Sequence, residues 1–100
     1  MEVKITQQGD ETIVNLIGRL DTPASLEVSK ELEPVKDNAG GTVILDCKDL
    51  TYISSSGLRI FLSLRKEAAI KGGKVIVRDI NDNIRSVFMM TGFLNLFEIQ

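Results

Sequence analysis

Apolar positions cluster on either side of a short polar gap near the start of the chain. Val3 and Ile5 precede it, Ile13, Val14, Leu16 and Ile17 follow it, and Gly9-Asp10 lies between. A glycine beside a short polar residue suits a tight hairpin turn, so the pattern predicts two antiparallel strands. The spacing then lengthens. Ala24, Val28, Leu32 and Val35 recur at helical intervals and give one apolar face. Thr22 followed by Pro23 marks the start of that helix, because threonine caps free amides and proline fits the first helical positions. Pro34 conflicts with it, since proline cannot donate to the carbonyl of Lys30 and its ring crowds the preceding turn. A kink or an early end is expected there.

Gly40-Gly41 interrupts the pattern, and Thr42-Val43-Ile44-Leu45 then runs without polar alternation, as fits a central strand paired on both sides and ending at Asp46. A loop is expected from Lys48 to Ile53. From Gly57 to about Ile70 the residues favour helix, with Leu58, Phe61, Leu62, Leu64, Ala68 and Ala69 apolar and Arg59, Ser63, Lys66 and Glu67 polar. Gly72-Gly73 stops it, and Lys74 to Val77 reads as a further strand. Asp79 or Asn81 can cap a last helix whose inner face is Ile84, Val87 and Phe88, with Gly92 at its end and Phe93 to Ile99 packing back. The alternation of strands and helices predicts an α/β fold, a mixed, mostly parallel sheet opened by a hairpin, as one domain over residues 1–100.

Composition narrows the chemistry. One hundred residues with 43% apolar content suit one small core. The net charge of -2, with Lys and Arg spread along the chain, provides no basic patch for nucleic acid or an anionic membrane. No apolar stretch approaches the length of a membrane span, and MEVKITQQGDE lacks the features of a leader, so a cytosolic chain beginning near Met1 is expected. Cys47 is the only cysteine and reads as a small buried hydrophobe. Histidine is absent, which leaves a Ser-His-Asp triad without its base and removes the commonest zinc ligand.

The candidate chemistry lies in YISSSGLR, Tyr52 to Arg59. Ser54, Ser55 and Ser56 stand between a central strand and the next helix, at the edge where parallel sheets usually carry function. One serine is enough to cap a helix, and three are a surplus. The stretch is not a G-x-S-x-G elbow, Ser63 to Lys66 matches S-x-x-K only within the polar side of a helix, and Gly72-Gly73-Lys74 lacks Walker spacing. Asp21, Asp46 and Asp49 could gather near the serines. Turn and cap roles account for each, and no metal or other cofactor is called for. Ile60 and Met89 point away from the inner faces of their helices and are expected at the surface, where methionine suits an adaptable protein contact.

GRLDTPAS, VILDCKDLTYISSSGLR, GGKVIVRDINDNIRSVFMMTGF and LFEI, in that order and spacing, resemble the STAS domain of bacterial anti-sigma-factor antagonists over essentially the whole chain. The resemblance implies a non-enzymatic module that binds an anti-sigma factor, itself a serine kinase, and so frees a sigma factor for transcription. Phosphorylation releases that partner, and a serine phosphatase restores binding. By position the phosphoacceptor is Ser56, with Ser54, Ser55, Gly57 and Asp21 near it and Leu58, Arg59, Ile60 and Met89 on the partner side. Many members read Asp-Ser-Ser-Gly, whereas Ser54 stands here in place of that aspartate. A STAS scaffold or ligand-binding module in which Ser56 only caps the helix is the alternative, and a hydrolase with an imported base is a third reading.

Overall fold

The computed structural model describes residues 1–100. Strand β1 (Glu2–Gln8) turns at Gly9-Asp10 into β2 (Glu11–Leu20), and the two pair antiparallel from Glu2 opposite Ile17 to Gln8 opposite Glu11. Two helices follow, α1 (Thr22–Glu31) and the short α2 (Glu33–Asp37). Next come β3 (Thr42–Asp46), β4 (Leu50–Ile53) and the long helix α3 (Ser55–Ile70). The chain then forms β5 (Lys74–Arg78), α4 (Asp82–Thr91), a turn of 3-10 helix at Phe93–Asn95 and β6 (Glu98–Ile99).

The sheet runs β1-β2-β3-β5-β6, parallel after the first pair. β2 is long enough to pair twice on its inner side. Glu11 to Asn15 take β3, and Gly18 to Leu20 take β4 after a register shift between Gly18 and Arg19. Gly18 has a φ of +105°, a backbone conformation that side chains strongly disfavour, and this places the bend of the longest strand there.

Alternation along the strands separates two faces. Val14, Leu16, Val43, Leu45, Val75 and Val77 project into a single core with Leu58, Phe61, Leu64, Ile84 and Phe88 from the helices. Phe61, Phe88, Phe93 and Phe97 close one end of it with edge-on and tilted ring contacts 5.9 to 6.3 Å between centroids. On the opposite face Asn15, Asp46 and Arg78 stand side by side in register across three strands.

Several expectations change. Leu50 to Ile53, expected as loop, is a strand, with Leu50 and Ile53 buried and Thr51 and Tyr52 outward. β6 and α2 are also additions. The break near Pro34 is a full stop: α1 ends at Glu31 and a separate short helix carries Pro34 in its first turn. The cap of α1 is Asp21 and not Thr22, because the Asp21 carboxylate is the group that accepts from the Ala24 amide, at 3.0 Å. Asn81 caps α4 by accepting from Ile84, and Gly92 ends it in the left-handed region. Ile60, expected at the surface, is 8% exposed, because α1 and α2 lie across that side of α3 and extend the core to it.

Candidate functional site

β2 and β4 end together, Leu20 opposite Ile53, so the residues that follow them, Asp21 and Ser54, emerge side by side and start α1 and α3 from one edge. Ser54 ties that edge together. Its amide and its hydroxyl both donate to the Leu20 carbonyl at 2.9 Å, and its Oγ accepts from the Gly57 amide at 3.2 Å. Ser54 is therefore the N-cap of α3, and it is buried. Gly57 lets the first turn of α3 lie directly on the strand ends. A Cβ there would fall 2.8 Å from Leu20 Cγ and 2.9 Å from Ile53 Cγ1, closer than side chains tolerate.

The three serines thus separate. Ser54 is engaged on both donor and acceptor sides within the fold, Ser55 is exposed, and Ser56 is half-buried with its side chain lining a groove between α1 and α3. The groove holds about 330 Å³. Arg59 and Lys36 supply its charges, the hydroxyls of Ser29, Ser56 and Ser63 line it, and Leu26 and Ile60 are its apolar members. No carboxylate lines it.

Of the residues expected near the serines, Asp21 is brought there by the register of β2 and β4. Asp46 and Asp49 are not. Asp46 points from the opposite face of the sheet, where Asn15 Nδ2 at 2.9 Å and Arg78 at 3.1 Å donate to Oδ2, and the Lys48 amide at 3.1 Å donates to Oδ1. Asp49 sits in the turn before β4, its carbonyl accepting from the Gly18 amide. No three His, Cys, Asp or Glu side chains come together as a metal site. Burial raises the Asp46 pKa, yet the Lys48 amide, the Arg78 hydrogen bond and charge and the Lys48 charge outweigh it and hold the carboxyl below its usual value. Cys47 is fully buried, and burial, with Asp46 and Asp79 adding to it, pushes its thiol up to about 12.

The residues expected on a partner surface also divide. Arg59 and Met89 are exposed, Met89 at 63%, while Leu58 at 5% and Ile60 at 8% face the core. Sequence reasoning missed Lys36. Its side chain reaches the groove only because α2 packs on α3, and its helix carries no signal of that contact.

Comparisons with known proteins agree with the fold. A family model described as the STAS domain matches residues 2–100. BtrV of Bordetella bronchiseptica, a protein provisionally named an anti-sigma factor antagonist, is 31% identical over 87% of this chain and 75% of its own length. The anti-sigma F factor antagonist of Paenibacillus polymyxa is 27% identical over 99% of this chain and 86% of its own. The structure of the Bacillus cell fate determinant SpoIIAA in its phosphorylated form covers 99% of this chain and 91% of its own, with a TM-score of 0.76 at 19% identity, a likeness of fold. No helix of the chain is long and apolar enough to cross a membrane.

Proposed function

The chain belongs to the STAS domain family, and from that footing we propose that it is an anti-sigma-factor antagonist, a binding module switched by phosphorylation of Ser56. The observation that carries the choice of residue is the division of labour among the serines. Ser54 is buried and engaged as the cap, whereas Ser56 stands half-open at the mouth of the groove. The relatives named as anti-sigma factor antagonists, and the SpoIIAA fold known in a phosphorylated form, support the class.

In this reading the unphosphorylated face around Ser56, with Arg59 and Met89 exposed, binds an anti-sigma factor that is also a serine kinase. The chain is that kinase's substrate and not itself a catalyst. Phosphate on Ser56 adds nearly two negative charges at the N-terminal turn of α3, where the amides of Ser55 and Ser56 have no carbonyl within the helix to donate to. Those amides and the helix dipole accommodate the phosphate without unfolding the domain. A partner surface shaped to a neutral hydroxyl then meets a bulky dianion, and an unmatched charge at an interface costs several kcal/mol. Each 1.4 kcal/mol is about tenfold in affinity, so the partner is released. A serine phosphatase resets the switch, and both partners place the cycle in the cytosol.

Incubation with ATP and each candidate serine kinase of the same genome, followed by mass-spectrometric mapping, tests the assignment. Phosphate is expected on Ser56 and absent from Ser56→Ala. Undiminished labelling of Ser56→Ala, or no labelling by any kinase that binds the chain tightly, refutes it.

A further inference from the structure

Arg59 lies three residues beyond Ser56 on α3, so the two side chains project from neighbouring positions on one helix face, and both line the α1–α3 groove. Its charge is unmatched. Lys4, Lys71, Lys74 and Arg78 each lie within 4.0 Å of a carboxylate, whereas Arg59 and Lys36, like several other cations of the chain, do not, and these two are the cations that line the groove. Two cations and no carboxylate converging on one concavity favour an anion there, and the positive end of α3 adds to the field. The other cations of α3 are directed elsewhere: Arg65 donates to the Leu96 carbonyl at 2.7 Å, and Lys66 lies outside the groove. Asp21, the carboxylate at this end of the fold, accepts from the α1 amide of Ala24 and lies outside the groove lining.

We propose that phosphoserine at position 56 is held within the chain by the Arg59 guanidinium, which closes over the groove mouth as the principal clamp, with Lys36 as a weaker second cation. This rests on the reading of Ser56 as the phosphoacceptor. Guanidinium suits the task because its planar fork meets two phosphate oxygens at once. Arg59 is thus a positioning residue with two states. It is free at the partner-facing surface when Ser56 is a hydroxyl and folded back when Ser56 is phosphorylated. The switch therefore removes a cation from the partner surface in the same step that adds an anion to it.

Phosphoserine installed at position 56 during translation provides the test, because no kinase is then required. The second ionisation of the phosphate, near 6 in exposed phosphoserine, is read by phosphorus NMR titration at low salt. It is expected about half a unit or more lower in the otherwise wild-type chain, with the difference shrinking in 1 M salt. Arg59→Ala returns it towards the exposed value, Arg59→Lys keeps part of the shift, and Lys66→Ala leaves it unchanged. Identical titration of the wild-type and Arg59→Ala chains overturns the clamp. Partner binding by the same samples separates the two claims. Loss of binding on phosphorylation with identical titrations leaves the switch standing and removes the clamp, whereas a lowered ionisation with unimpaired binding upholds the clamp and removes the switch.

Discussion

Ser54, Ser55 and Ser56 are chain neighbours with three different environments, and the difference is set by a carbonyl 34 residues upstream. Leu20 accepts both the Ser54 amide and its hydroxyl, which turns the serine inward and leaves Ser56 facing the groove. The sequence therefore placed three serines at the strand-to-helix edge but did not show which of them would be consumed as the cap. Where the Asp-Ser-Ser-Gly pattern has aspartate, serine does the same N-cap accepting and in addition donates its proton to the Leu20 carbonyl, which a carboxylate cannot do. Ser54→Ala is expected to cost about 1 kcal/mol in urea unfolding, while Ser54→Asp keeps an acceptor for the Gly57 amide but sets a buried carboxylate against the Leu20 carbonyl, and is expected to destabilise the fold as well. At Cys47 the expectation from sequence and the structure agree. A fully buried thiol with its pKa pushed up to about 12 offers almost no thiolate near neutral pH. Iodoacetamide should modify it only as fast as the chain opens, and rapid labelling of the folded protein would contradict this burial.

Among the elements, those with strong local signals were legible. The hairpin, the central strand β3, the long helix α3 and the glycine end of α4 follow from turn residues, unbroken apolar runs and helical spacing. The missed elements are those whose identity is tertiary. β4 has four residues and β6 two, too short for a period, and each exists because a longer strand leaves an edge open for it. The seat of α3 on those strand ends depends on Gly57. Gly57→Ala would drive a methyl against Leu20 and Ile53, so a loss of roughly 1–3 kcal/mol is expected by denaturant titration. The same substitution should weaken partner binding by shifting Ser56, and a neutral effect on both stability and binding would show that α3 has room the structure does not indicate.

For the whole molecule, the sheet divides the acidic residues between two surfaces. By their positions near strand and helix ends, Asp21, Asp46 and Asp49 could have gathered near the serines. The side-to-side alternation of β3 instead sends Asp46 to the face away from the helices, into a row with Asn15 and Arg78. That row links three strands and confers a pH dependence. The folded chain holds Asp46 below its ordinary value of 3.8, so it binds that proton less tightly than the unfolded chain does. The resulting stabilisation is complete above the unfolded value and is lost as the pH falls through the lower folded one. Asp46→Asn should flatten the acid limb of the stability curve as the pH falls through and below 3.8, with little change in the response to phosphate on the opposite side. In the proposed switch, one hydroxyl decides by its charge state whether a partner binds. The most direct measurement titrates the anti-sigma factor kinase with the chain bearing serine, and then phosphoserine, at position 56, in calorimetry at one salt concentration. Tight binding is expected of the serine form, and a loss of at least a hundredfold, about 2.7 kcal/mol, of the phosphoserine form with the fold intact by circular dichroism. Equal affinities for the two forms would contradict the switch.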